Sequence, residues 1–450
     1  MKHFYHISLF VALAVTGCVN LYDDIRSHNP YEGAVKELKV SLVYPDGFSS
    51  GRRSGVAVMI EESLTGNRYT SSTSDDGVAL FDVTNGLYRV VVSDRVTVGG
   101  DDYVLNGSVD QVKVTDNAAP AVDIALRASK PGKLIFKEIY CGGCKRYPES
   151  GDYQYDKYVI LYNNSSETLY LDNYCFGTAD PYNSTANNVW ITYDPSTGQT
   201  VYRDFVPIIQ CVWQFPGSGT DFPIEPGQQA VVALCGAIDH AARYPESVNL
   251  NASSYFACYD NVYFTNVDYH PTPGDKITTD RYMQVIVKTG TANAYTFSVT
   301  SPTAILFTVP SSEGTPREYV NRASSQITIP GGSEKCVKVP ISWVADAVEV
   351  FNGASANNTK RLSPEIDAGY VLLSKSNLRH TLYRNVDYAA TLAISGNNVV
   401  YKYKFGSDPN DIDAEATLRA GGRIIYADTN NSSEDFHERT VQSLSADSQK

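Results

Sequence analysis

Short runs in which apolar residues recur at every second position set the strongest limit on how this 450-residue chain can fold. That period places alternate side chains on opposite faces of an extended strand. Residues 35–44 read this way and stop at Pro45-Asp46-Gly47. Residues 68–73 run into Asp75-Asp76-Gly77, and residues 78–81 and 87–92 flank Asn85-Gly86. Each break is a turn-forming cluster. The 32 Tyr, against 3 Met and 3 Trp, fit strands and turns better than helices. The expected fold class is all-β, with room for two to four domains.

The amino terminus carries a different signal. Lys2 is followed by an apolar run over residues 7–15, closed by Val15-Thr16-Gly17-Cys18. The run is too short to span a bilayer. The segment resembles a bacterial lipoprotein signal with its lipobox. That resemblance implies removal of residues 1–17, acylation of Cys18 and membrane attachment through the lipid. Residues 18–34 then form a tether. Its acidic Leu21-Tyr22-Asp23-Asp24 resembles the Bacteroidetes signal for the outward face of the outer membrane.

Net charge is -13, with no dense Lys/Arg stripe, which excludes nucleic acid as a partner. Cys18 aside, seven cysteines remain. Six of them (Cys141, Cys144, Cys175, Cys211, Cys235 and Cys258) lie in the middle of the chain, with Cys336 beyond. An envelope location permits disulfides, so these six are expected to staple the middle region, with pairing left open. Cys141-Gly142-Gly143-Cys144 has redox-motif spacing but runs on into loop sequence, so a structural role is expected.

Residues 35–130 form the first domain. Thr73, Asp76, Gly77, Ala79, Phe81, Val83, Gly86, Tyr88 and Val90 match the strand-pair signature of the carboxypeptidase-regulatory, transthyretin-like sandwich, which this domain resembles. That resemblance implies an accessory module. Residues 131–310 follow. Glu138-Ile139, then residues 157–163 and 169–174, resemble the opening of lamin-tail-like sandwiches, implying a larger, elaborated β-sandwich. Residues 311–450 read as strands, at 319–322, 345–351 and 360–369 among others, and either pack with the preceding domain or stand apart. The last dozen residues read as a frayed tail.

The whole chain resembles an uncharacterised family of Bacteroidetes envelope lipoproteins. The residues that carry this are Tyr162-Asn163-Asn164-Ser165, Ala237-Ile238-Asp239-His240, Lys360-Arg361-Leu362, Asp367-Ala368-Gly369, Asp428-Thr429-Asn430-Asn431-Ser432 and Asp435-Phe436. The resemblance implies an accessory to an outer-membrane TonB-dependent receptor.

Candidate recognition residues are aromatic. Tyr147, Tyr153 and Tyr155 crowd one loop, and Tyr255, Tyr259 and Tyr263 another. Tyrosines bury much area while keeping a polar tip, as binding faces require. His240, beside Asp239, is the candidate functional histidine. No zinc-binding histidine spacing and no serine nucleophile elbow occurs, so no catalytic residue is assigned and an enzyme is not expected. Asp408, Asn410 and Asp413 have partial calcium-loop spacing. They lack the central Gly, and Arg419 stands where a bidentate Glu belongs, so the stretch reads as a polar loop and no cofactor is assigned. The expectation is a surface lipoprotein that acts as a ligand-capture or accessory component beside an outer-membrane TonB-dependent nutrient receptor. An adhesive envelope protein and an envelope hydrolase are the alternatives.

Overall fold

The computed structural model describes residues 35–48, 54–116, 120–194, 199–353, 357–402 and 410–446. The signal segment, the tether and Cys18 lie outside the described residues. The protein is all-β, built from several packed sheets.

The first eight strands are β1 (Lys36–Val43), β2 (Ala57–Glu62), β3 (Arg68–Ser72), β4 (Val78–Val83), β5 (Gly86–Val98), β6 (Asp101–Val114), β7 (Ala121–Ala125) and β8 (Arg127–Ser129). They make two facing sheets, ordered β4-β1-β7 and β3-β2-β5-β6-β8. Alternation decides which side chains meet between them. Leu38 and Val40 of β1, and Ala79, Phe81 and Val83 of β4, point into one core with Ile60, Tyr88 and Val90. Each large aliphatic or aromatic side chain buried there contributes about 1.5–3 kcal/mol. The signature residues between strands are structural. The buried Thr73 hydroxyl accepts from the Val56 amide at 3.0 Å. Gly77 takes φ +72°, which the tight turn requires.

Among the described residues, the larger part has two large sheets and three two-stranded ribbons, the ribbons left unlabelled. Its strands are β9 (Leu134–Tyr140), β10 (Tyr158–Asn163), β11 (Cys175–Ala179), β12 (Phe205–Gln214), β13 (Gln229–Ala233), β14 (Phe256–Ala257), β15 (Gln284–Lys288), β16 (Thr303–Phe307), β17 (Gln326–Thr328), β18 (Lys335–Pro340), β19 (Val344–Asn352), β20 (Val371–Leu373), β21 (Thr381–Arg384) and β22 (Phe436–Arg439). One sheet runs β14-β13-β10-β9-β21-β22. The other runs β17-β18-β12-β11-β16-β19-β20, with β15 also pairing β12. Strands from before and after residue 310 therefore share both sheets. Leu134, Phe136, Val159, Trp213, Leu306 and Val350 help fill the core between them.

A bulge in β9 sets what lies on its two faces. Ile160 pairs with Glu138 and Leu161 with Phe136, leaving Lys137 unpaired. The extra residue shifts the alternation. Leu134, Phe136 and Ile139 all reach the inter-sheet core. Lys137 and Glu138 turn to the other side, where Lys137 meets Glu415 at 2.5 Å and Glu138 accepts from Tyr158 and Thr381, each at 2.9 Å.

Three segments differ from the sequence reading. Residues 319–322 are not a strand. Pro316–Val320 is a short helix, fixed by Thr315 and Glu318 in a reciprocal capping box with Pro at its start. Residues 360–369 are not a strand either, but a turn-rich segment holding buried charge. The terminal dozen is no frayed tail as far as residue 446. Arg439, Gln442, Ser443 and Ser445 are buried, and the Ser443 amide donates to Glu138 at 3.0 Å.

That buried charge organises the molecule. Arg384 on β21 is 1% exposed. It donates to Asp346 at 2.6 Å, to Asp428 at 3.1 Å, and to the carbonyls of Phe136 (2.7 Å) and Ala427 (3.1 Å). Asp435 lies 3.7 Å from the same guanidinium. Asp346 also accepts from the Phe136 amide at 2.6 Å. A second node pairs Arg361 with Glu349 at 2.6 Å, both wholly buried. Arg361 also donates to the carbonyls of Ser301 and Val350. A third centres on Asp367, which accepts from the amides of Glu349, Gly369 and Ser432. Gly369 is needed there because a Cβ would lie 1.9 Å from Asn431 Oδ1. The same segments grip the first sandwich. Asn106 donates to the carbonyls of Thr429 and Asn430, Arg89 to that of Ala368 at 2.8 Å, and Arg95 to that of Asp428 at 3.1 Å.

Removing one member of a buried ion cluster strands the others without a partner. Arg384→Met is expected to lower unfolding free energy by about 3–5 kcal/mol in urea titration. Burial pushes the Asp346 and Asp435 carboxyls up to about 7, although Arg384 opposes it. The folded protein thus holds protons that an unfolded Asp, at 3.8, has released. The stability this adds is full below about pH 4 and is lost as pH rises through about 7. Asp435→Asn fixes its site in the neutral form. The stability of the unaltered chain relative to this variant should therefore shrink as pH rises over that window, and a widening gap contradicts the assignment.

Candidate functional site

The aromatic candidates fall into separate places. Tyr153 and Tyr155 meet edge to face with centroids 5.3 Å apart. Tyr153 lies against Tyr244, and Tyr155 against Tyr269. His240 is 2% exposed beneath them. Its Nε2 is 2.7 Å from the Gly236 carbonyl and so carries the proton. Its Nδ1 then accepts from the Tyr153 hydroxyl at 2.5 Å. Burial pushes the imidazole below its ordinary value, so the ring is a neutral tether between two loops. Asp239 is exposed and accepts from the Ala242 amide at 3.2 Å, in the turn that follows. The Asp239–His240 neighbours thus do not form a pair. Tyr255 and Tyr259 are half-buried against the outer face of the β9–β14 sheet. Tyr147 is 76% exposed and Tyr263 44%, the latter on a loop with the exposed Val262 and Val267.

The disulfide expectation is overturned. Cys141, Cys144, Cys175, Cys211, Cys235, Cys258 and Cys336 are all free thiols and all buried. They serve as small apolar residues. Cys141, Cys211 and Cys258 belong to the core between the large sheets, and Cys175 to the core on the opposite face of its sheet. Burial pushes Cys141 and Cys144 up to about 12, the reverse of an activated redox pair. Gly142 and Gly143 between them take φ +90° and +114°, and a Cβ on Gly143 would lie 2.4 Å from Asn377 Oδ1. The motif is therefore a tight turn.

Of the partial calcium loop, Asp408 lies outside the described residues. Asp413 caps the helix Ala414–Arg419 by accepting from the Ala416 amide at 2.9 Å, and Asn410 donates to the Val386 carbonyl at 2.7 Å. Among the described residues no group of three or more His, Cys, Asp or Glu is placed to hold a metal ion. No described helix is long and apolar enough to cross a membrane.

The candidate site is a cleft of about 700 Å³ where the first sandwich meets the larger part. One wall comes from the β6–β8 region, including Ser108, Arg127 and Ser129. The other comes from residues 199–204, 340–346 and 363–366. Arg127 and Glu365 bridge the walls at 3.1 Å. Asn430 joins them further in, donating to Ser129 Oγ at 2.7 Å. Two residues of the lining, Tyr202 and Ser363, each carry a hydroxyl oxygen that is itself buried and has no hydrogen-bond partner. Such groups are rare in folded proteins. A more open groove of about 770 Å³ lies at residues 216–222 and 279–285. Its Arg281 is already stacked on Phe222 and Phe256.

None of the sequence-chosen Tyr, His or Cys residues lines the cleft. Ser363 follows directly on Lys360-Arg361-Leu362, so proximity to that motif was its one signal. Tyr202 had none, because its neighbours come from distant segments.

Fold and site together define an all-β protein with a polar cleft between two sandwich-like parts. Residues 225–443 match a family described as "Protein of unknown function (DUF4876)". A crystal structure at 2.50 Å resolution of a DUF4876 family protein from Bacteroides thetaiotaomicron VPI-5482 is similar at a TM-score of 0.53 and 25% identity, covering 89% of this chain and 94% of that one. No curated protein matches. The chain thus resembles this uncharacterised family over residues 225–443, and its solved Bacteroides member over most of the fold. The charged residues of the three buried nodes all fall within the matched segment.

With no disulfide among the described residues, a thiol reagent applied without reductant should leave these seven cysteines unmodified in the native protein and modify all seven after denaturation. Even one pair that stays blocked until reductant is added contradicts the free-thiol arrangement.

Proposed function

We propose that the protein is an outer-membrane lipoprotein, held by lipid at Cys18 and facing outward, that captures a small ligand beside a TonB-dependent receptor. The observation that carries capture is the polar cleft of about 700 Å³ between the first sandwich and the larger part. That volume falls in the range of small-molecule sites, about 300–1,000 Å³. The lipid anchor and the receptor are supported by the amino-terminal sequence and the family resemblance. In this reading the first sandwich is of the carboxypeptidase-regulatory, transthyretin-like kind, and the two large sheets are an elaborated lamin-tail-like sandwich. The exposed loop with Val262, Tyr263 and Val267 supplies an apolar surface for the receptor. An adhesive role draws on that same loop but leaves the cleft without a purpose.

The test is metabolic labelling with a fatty acid, followed by gentle solubilisation of the outer membrane. The chain is expected to take up label, to lose it in Cys18→Ser, and to co-purify with a TonB-dependent transporter. Unlabelled chain, or labelled chain recovered without a transporter, contradicts the proposal.

A further inference from the structure

We infer that the cleft takes a short peptide in extended form, whose main chain pairs with the free edge of β8. This rests on the reading of the cleft as a capture site and names what it captures. Arg127, Ala128, Ser129 and Lys130 follow one another in the chain, and all line the cleft. Successive side chains of a strand point to opposite faces. A wall built from consecutive residues is therefore the strand's edge, where its backbone N–H and C=O groups lie. Ala128 shows the same thing singly. Its side chain packs on the core of the first sandwich, which leaves its main chain to face the cleft. β8 ends the sheet β3-β2-β5-β6-β8 and pairs with β6 over Val104, Leu105 and Asn106. Among the described residues no strand pairs with its other side.

An open edge offers donors and acceptors in alternation, and another extended main chain answers them in kind. Residues 127–130 give about 13 Å of edge at roughly 3.3 Å per residue, which matches a peptide of about four residues. The edge is short and bears two exposed cations, Arg127 and Lys130, features that keep free edges from pairing with whole sheets. A short peptide escapes that restriction. Arg127 is held by Glu365 at 3.1 Å and Lys130 by Asp101 at 3.0 Å, so the edge adds no free charge that would select an ion. On the opposite wall, Ile341 and Val344 are half-buried and offer aliphatic surface to every second side chain of the peptide. The ligand is thus an uncharged peptide with apolar side chains at alternate positions.

The experiment is titration of the detergent-solubilised full chain, read by calorimetry and by amide hydrogen exchange. The peptide probes are acetyl-Val-Thr-Val-Thr-amide and acetyl-tetra-alanine-amide. Maltose, citrate and spermidine stand for other ligand classes. At least one peptide should bind and slow exchange at residues 127–130. Two forms of that peptide, N-methylated on alternate sets of amides, test the main-chain pairing. The form that loses the N–H groups facing β8 should bind roughly tenfold more weakly, and the other should keep its affinity. Ser342 is exposed and lines the cleft, so Ser342→Trp should fill the space, weaken the peptide roughly tenfold and leave melting unchanged. The proposal is overturned if neither peptide binds, if the two methylated forms bind alike, or if bound peptide leaves exchange at residues 127–130 unaltered. If maltose, citrate or spermidine binds instead and Ser342→Trp weakens it, the peptide class falls while the capture site stands. If no probe of any kind binds, both readings fall.

Discussion

One guanidinium among three buried carboxylates fixes the arrangement of this molecule. Arg384 reaches Asp346, Asp428 and Asp435 and two backbone carbonyls, so β21, β9, β19 and the segment before β22 converge on a single side chain. A well-packed apolar substitute can match such a cluster in stability, but losing any one partner is costly. The cluster therefore acts mainly by rejecting alternatives. A one-residue slip of β21 would bury an unpaired cation and leave the carboxylates facing one another. Arg361–Glu349 and Asp367 extend the same logic to β19, β16 and the chain around residue 432.

The cleft is a consequence of this framework. The 428–430 carbonyls that receive Asn106 and Arg95 follow directly from Asp428, and Ala368, which receives Arg89, sits next to Asp367. The position of the first sandwich is thus tied to the charge network. A preformed gap spares a ligand the cost of ordering its own site. Ser363 and Tyr202 are held on the larger part, while Arg127 and Ser129 ride on the sandwich.

Much of the fold was legible in the chain, and the reasons differ by element. β9 and the strands of the first sandwich were visible because alternation and turn residues are local signals. Residues 360–369 read as a strand because polar and apolar residues mix there. Their real role depends on Glu349, Ser432 and Arg89, far away in sequence. Residues 427–436 are polar in sequence, and burial of Asp428 and Asp435 there requires Arg384 to be present. The cysteines misled because an oxidising compartment permits disulfides without requiring them, and these thiols fill apolar cores. The tyrosine clusters were correctly seen as crowded around Tyr153 and Tyr155, but they largely pack against one another. The cleft could not be read from sequence at all, since its walls combine residues 108–130 with residues 199–204, 340–346 and 363–366.

If the buried charge network binds the first sandwich and the larger sheets into one unit, they must unfold together. Differential scanning calorimetry of the whole chain is the direct measurement. The account predicts one transition whose calorimetric and van't Hoff enthalpies agree. Two resolved transitions, with residues 36–129 melting apart from the rest, would contradict it.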